Sequence, residues 1–282
     1  MQTQRLAHRG IETAYIDEGA GPLLLLLHGF TGSKLDFADE VLRLAQTHRV
    51  IAIDNRGHGE SSNTGDPDTY RISTLVEDLA SFVGALGLSR IHLLGHSLGG
   101  MVAIRYALVA PAQLASLVLM DTSPAPMAMP ASAREAFANS LTSLGVDGMV
   151  AMMRRRTAPR QIQNGINQIG EAEHWRRLET KLRQMDPVAF HALGMELSGV
   201  AAVTDQLSRL KLPTTIIAGE SDDPFVAPSR LMAETINGAV LELIEDAAHS
   251  PQYENRDAWR AAIDRHLVRS AGNAAWSGAG HQ

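Results

Sequence analysis

The stretch "RIHLLGHSLGGMVAIRYALVA", residues 90 to 110, constrains the fold more than any other part of the chain. A short run dense in branched apolar residues leads into Gly95, His96, Ser97, Leu98 and Gly99, and residues with helical spacing follow. A strand that bends at once into a helix brings the backbone on the two sides of the bend together. Side chains at positions 95 and 99 would collide there, and glycine removes the obstacle. The same bend exposes the Ser97 hydroxyl and aims the free amides of the helix's first turn toward it.

The rest of the chain supplies the setting. "TAYIDEG", "GPLLLLLHGF", "RVIAIDNRGHG", "LASLVLMDTS", "TTIIAGE" and "AVLELIEDAAHS" read as strands. "DFADEVLRLAQTH", "TLVEDLASFVGALGL" with a stop at Gly87, "APSRLMAETIN" and "RDAWRAAIDRHLVRS" carry helical periodicity. Continuous apolar strands separated by helices predict an α/β fold with a mostly parallel sheet covered on both faces. The rhythm breaks at "SPAPMAMPAS", where Pro124, Pro126 and Pro130 fall close together, and it returns after Pro213. The stretch between is helical and polar, with no strand candidate. The expected organisation is one core domain over 1–123 and 211–270, interrupted after the sixth strand by a helical cap over 124–210. Residues 271–282, small and polar, are expected to form a disordered tail.

Ligands of parallel α/β sheets bind at the carboxyl ends of the strands, which is where Ser97 stands. A serine hydroxyl at neutral pH needs a base to take its proton. His249, on the loop after the last strand, fits that role. His96 is adjacent to the serine, so a sharp bend points it elsewhere, and it reads as a packing residue. The acid that orients the base is read as Asp222 in "AGESDDPF", three residues after Gly219, with Asp223 and Asp121 as alternatives. Asp121 otherwise caps the turn into the insertion. A developing oxyanion needs fixed N–H donors. The Leu98 amide supplies one and the Phe30 amide, after the turn at Gly29, the other. His28 ties that loop down by hydrogen bonds and is also a candidate substrate contact. "DNRGHGES", with Asp54, Arg56, Gly57, His58 and Gly59, lacks the Lys-Ser/Thr ending of a phosphate loop and reads as a structural turn beside the site.

Composition excludes several classes. A net charge of −6 argues against a nucleic-acid partner. The absence of cysteine excludes disulfides and Cys-ligated metals. "MQTQRLAHRG" has no apolar signal region, and Leu23 to Leu27 are too few to span a bilayer. The expectation is a cytoplasmic protein acting on a small ester-type molecule without a metal or organic cofactor. Monomer and homodimer both stay open.

"HGFTGS", "DNRGHGESS", "GHSLGGM", "GESDDPF" and "HSPQYE" stand in the order found in α/β-hydrolases, and the chain resembles that family from about residue 10 to 268. The resemblance implies a Ser97–Asp222–His249 triad, oxyanion amides at Phe30 and Leu98, and a lid made by the insertion. Serine at the bend departs from epoxide hydrolases and haloalkane dehalogenases, which carry Asp there. "HGFTGS" is similar to the pyruvate-eliminating synthase of the menaquinone pathway, whose bend ends in Gly-Gly-Arg where this chain has Met101. Proline iminopeptidases and meta-cleavage C–C hydrolases fit less well, lacking here their "HGGPG" and Gly-Pro-Gly signatures. The implied activity is serine-dependent hydrolysis of carboxylic esters or lactones, as in carboxylesterases. The alternatives are C–C hydrolysis, pyruvate elimination, or ligand reception with little turnover. Met149, Met152 and Met153 are candidates for an adaptable apolar acyl pocket, with core packing as the other reading. Arg154, Arg155 and Arg156 read as a solvated helix face, or as a receiver for an anionic substrate.

Overall fold

The computed structural model describes residues 1–155 and 160–276. Eight strands form one sheet among the described residues: β1 (Gln4–His8), β2 (Ile11–Glu18), β3 (Leu23–Leu27), β4 (Arg49–Ile53), β5 (Ile91–His96), β6 (Leu114–Met120), β7 (Thr214–Gly219) and β8 (Val240–Ile244). Their spatial order is β1-β2-β4-β3-β5-β6-β7-β8. The two pairings made by β2 are antiparallel, and the others are parallel. The sequence reading counts six strands before the insertion but names stretches for five, and β1 is the one without a stretch. Its pattern is mostly exposed, and what defines it is the turn into β2, where Arg9 and Gly10 both take positive φ (46° and 75°), the two-residue geometry that joins paired strands.

The helices are α1 (Ala38–Leu44), α2 (Ile72–Ala85), α3 (Leu98–Val109), α4 (Ala131–Ala138), α5 (Ser140–Arg155), α6 (Arg160–Ile169), α7 (Glu171–Gln184), α8 (Pro187–Glu196), α9 (Asp223–Thr235), α10 (Pro251–Glu254) and α11 (Arg256–Trp276). The five-leucine strand β3 explains the layering. Successive side chains of a strand point to opposite faces. Leu25 and Leu27 enter one core with Leu93, Leu119, and Leu79 and Val102 from α2 and α3. Leu24 and Leu26 enter a second core with Val41 of α1 and with Trp259 and Ile263 of α11. Both faces are therefore apolar, and the strand reads as an uninterrupted run.

Between β6 and β7 the described residues contain helices α4–α8 and no strand. These helices rest on the core through Phe190 and Leu193 of α8. Arg177 and Lys181 of α7 reach Asp39 and Asp36, at 2.7 Å in each case. The expectation for Arg156, and that for residues 277–282 of the tail, lie outside the described residues. Residues 271–276 belong to α11.

Candidate active site

Ser97 occupies the junction of β5 and α3 with φ 53° and ψ −115°, a left-handed φ that non-glycine residues rarely take. Three hydrogen bonds hold it there. Its N–H donates to Met120 O (2.9 Å), and its carbonyl accepts from Met101 N–H (3.0 Å) and from the Thr122 hydroxyl (2.7 Å). The flanking glycines are required by contact. A Cβ on Gly95 would lie 2.4 Å from Gly99 O, one on Gly99 2.5 Å from Leu27 O, and one on Gly100 2.5 Å from Thr122 Cβ. Gly100 carries a constraint as tight as the other two, although it lies outside the Gly-x-Ser-x-Gly frame.

The Ser97 hydroxyl is 3.1 Å from Nε2 of His249, and Nδ1 of the same ring is 2.7 Å from Asp222 Oδ2. Asp222 is the residue before α9, and its backbone N–H donates to Gly219 O (3.0 Å). The carboxylate thus accepts the Nδ1 proton and leaves Nε2 free to accept from the serine. The site is open to solvent, since the His249 side chain is 42% exposed. Asp223, in contrast, is an exposed first residue of α9.

The loop after β3 lies directly against the serine. A Cβ on Gly29 would meet Ser97 Cβ and His96 Nδ1, each at 3.2 Å, so this close approach favours glycine. Leu98 opens α3, and its N–H has no acceptor within the helix. His28 is wholly buried. Its Nε2 accepts from Asn55 N–H (3.0 Å), and its Nδ1–H donates to Gly29 O (2.7 Å). No ring nitrogen remains for a substrate, so His28 braces the loop and does not act as the substrate contact that the sequence suggested. Burial holds its ring neutral, at about 3. The turn after β4 braces the same loop: His58 Nε2 contacts Phe30 O, and Lys34 of the loop donates to the buried Asp54 carboxylate.

Several residues around the site make contacts that no motif specifies. His96, held neutral at about 3 mainly by burial, donates from Nε2 to His249 O (2.7 Å). Glu254 accepts from the N–H groups of Ala248 and Ser250, on either side of the histidine. The Phe225 ring lies 4.9 Å from the His249 ring. Asp121, fully buried, accepts from Gly219 N–H (2.9 Å), and its carboxyl group lies within 4.8 Å of both Asp222 and His249. Burial first, and then the Asp222 carboxylate, push Asp121 well above the ordinary carboxylate range. Phe30, Phe137 of α4 and Phe190 of α8 form an aromatic group with centroids 4.9 to 5.8 Å apart, which links the loop to the inserted helices.

The methionines divide. Met149 is buried in the core cluster, Met153 packs against that cluster, and Met152 is 39% exposed. Packing accounts for Met149, and exposure takes Met152 out of an enclosed pocket. Arg154 and Arg155 are exposed, and the Arg154 guanidinium stacks over Trp175 at 5.1 Å. Among the described residues, no helix is long and apolar enough to cross a membrane.

Comparison with known proteins agrees with this architecture. The family profile described as alpha/beta hydrolase fold matches residues 22–256. A Bacillus subtilis (strain 168) protein provisionally assigned as 2-succinyl-6-hydroxy-2,4-cyclohexadiene-1-carboxylate synthase is 27% identical over 266 residues, covering 87% of this chain and 90% of its own. Monoacylglycerol lipase abhd6-B of Xenopus laevis is 28% identical over 262 residues, covering 84% and 73%. The solved structure of a thermophilic esterase from Thermogutta terrifontis superposes with a TM-score of 0.81 at 27% identity, covering 96% of this chain and 99% of that one. With the profile matched over most of its length, and with this sheet order and this strand–serine–helix junction, the chain belongs to the α/β-hydrolase fold family.

Proposed function

We propose that the protein hydrolyses carboxylic esters, lactones included, through an acyl-enzyme on Ser97, with His249 as base and Asp222 as its orienting acid. The observation that carries this reading is the continuous relay from Ser97 Oγ to His249 Nε2 (3.1 Å) and from His249 Nδ1 to Asp222 (2.7 Å). In the first half-reaction Ser97 Oγ attacks the ester carbonyl while its proton passes to His249 Nε2. The tetrahedral oxyanion rests on the amides of Phe30 and Leu98. His249 then gives its proton to the departing alkoxide. In the second half a water loses its proton to His249 and attacks the acyl carbonyl, and His249 returns that proton to Ser97 Oγ as the acid departs. The aromatic group of Phe30, Phe137 and Phe190 beside the oxyanion loop supports an apolar acyl portion.

A pyruvate-eliminating reaction is the second reading, favoured by the extent of the match to the Bacillus subtilis protein. Met101 weighs against it, since the synthase resemblance calls for arginine at that position. A panel of p-nitrophenyl esters and lactones, together with labelling of Ser97 by a fluorophosphonate, separates the readings. Ester turnover abolished by Ser97→Ala is the expected result. Labelling without turnover of any ester or lactone would defeat it, and pyruvate release from a cyclohexadiene substrate would favour the second reading.

A further inference from the structure

Asp121 stands out among groups that the proposed chemistry does not use. It follows β6 at a left-handed φ of 44°, a conformation that Asp and Asn tolerate better than other side chains. Its carboxyl group is fully buried, and its N–H is spent on Ile217 O (2.9 Å). One carboxyl oxygen, Oδ1, accepts from Gly219 N–H. The other, Oδ2, is buried, and no donor among the described residues reaches it.

An ionised carboxylate in that position would leave one oxygen buried and without a donor, which is costly. The acidic neighbours make it costlier. Asp222 faces Asp121 within 4.8 Å and is committed as the acceptor of His249 Nδ1–H, and the Glu254 carboxyl group acts on Asp121 from α10. The nearest cationic candidate, His249, already gives its Nδ1 proton to Asp222. Two buried carboxyl groups this close do not both ionise. The orphaned oxygen and the facing carboxylate answer each other if Oδ2 carries a proton: Asp121 then accepts at Oδ1 and donates from Oδ2 to Asp222.

We infer that Asp121 is a positioning residue, a neutral carboxylic acid that donates a hydrogen bond to Asp222 and fixes the plane in which that carboxylate meets His249. This rests on Ser97, His249 and Asp222 acting as a relay, as proposed above. It assigns to Asp121 no contact with substrate. Asparagine fits the same place, because its carbonyl accepts from Gly219 N–H, its amide donates to Asp222, and it tolerates the left-handed backbone. Alanine supplies neither bond.

Two measurements test the inference. The first is the difference infrared spectrum, wild type minus Asp121→Asn, at neutral pH. The expected result is the carbonyl stretch of a protonated carboxylic acid, and its absence overturns the inference. The second is the rate at which a fluorophosphonate labels Ser97. The expected rate in Asp121→Asn is within about threefold of wild type, while Asp121→Ala falls roughly ten- to a hundredfold, the loss of a hydrogen bond to a charged group. Equal losses in the two variants, no loss in Asp121→Ala, or an Asp121→Asn chain that does not fold would each overturn it. Ester turnover enters neither measurement. A chain that is labelled but cleaves no ester therefore defeats the ester reading and leaves this one standing.

Discussion

His96 Nε2 donates to the carbonyl oxygen of His249 at 2.7 Å, so the residue beside the candidate nucleophile holds the backbone of the candidate base 153 positions away. His96 also sets its ring 5.0 Å from that of His249, whose Nε2 meets the Ser97 hydroxyl. Replacing it by alanine should slow ester hydrolysis about tenfold, the cost of one hydrogen bond of about 1.4 kcal/mol, while leaving the fold intact. His96→Gln, which keeps a donor on a side chain of similar reach, should recover part of the loss. Steady-state kinetics of the two purified variants decide the matter, and an alanine variant at the wild-type rate would show that the contact does not hold the base.

Asp222 and Asp223 separate by charge-removing substitution. Asp222→Asn takes the acceptor from His249 Nδ1 and favours the wrong tautomer, so kcat should fall on the order of 10⁴-fold. Asp223→Asn alters an exposed residue at the start of α9 and should stay near wild type. Ser97→Ala should lose on the order of 10⁴- to 10⁶-fold. Retention of most activity in Asp222→Asn would remove it from the relay.

The sheet and the place of Ser97 were legible because local chemistry specifies them. A serine between glycines needs only the bend, and a five-leucine run needs only two covered faces. The residues that hold the relay were not legible. The carboxyl groups of Asp121 and Asp222 face each other only because β6 and β7 are neighbours in the sheet, a pairing that no spacing announces. Glu254 lies within the "HSPQYE" motif, yet its acceptance of two loop amides depends on α10 folding back over that loop. β1 is not legible because an exposed edge strand has no apolar run, and what marks it is the φ angles of Arg9 and Gly10.

Buried histidines should make the protein sensitive to acid. His28, His96 and His266 are lowered to about 3 and His92 to about 4, in each case chiefly by burial. His92, Ser116, His266 and Thr215 form one hydrogen-bonded chain across β5, β6, β7 and α11. In the unfolded chain each ring takes up a proton near pH 6.5. Between that pH and the folded value, the unfolded state binds a proton that the native state refuses. Stability is therefore full above about pH 6.5 and falls as pH drops toward 4, by about 1.4 kcal/mol per pH unit for each such ring. Four rings acting together are large against a typical total of 5–15 kcal/mol. Urea melts at pH 7, 6 and 5 should show a steep loss, and a flat profile would mean that these rings charge in place.

The inserted helices are fastened to the core by a buried charge, and this fastening can be tested as a pair. Lys181 of α7 lies 2.7 Å from Asp36, whose side chain is only 8% exposed. Burial by itself would raise Asp36, but the Lys181 ammonium overcomes it and holds the carboxyl below its ordinary range. Asp36 also serves its own loop by accepting from Ser33 N–H (3.3 Å), so it is fixed in place with or without Lys181. Lys181→Met keeps the length of the side chain and leaves the carboxylate buried without its counter-charge. The expected cost is about 3 kcal/mol, the lower end of what breaking a buried pair exacts. Asp36→Asn removes the stranded charge and keeps an oxygen for Ser33. In the Asp36→Asn, Lys181→Met double variant much of that penalty should therefore disappear, with a coupling of about 1–3 kcal/mol in a double-mutant cycle. The cycle is read from urea unfolding of the four proteins. Additive losses would mean that Lys181 and Asp36 are neighbours without energetic connection, and the fastening of α7 would then rest on Arg177 and Asp39.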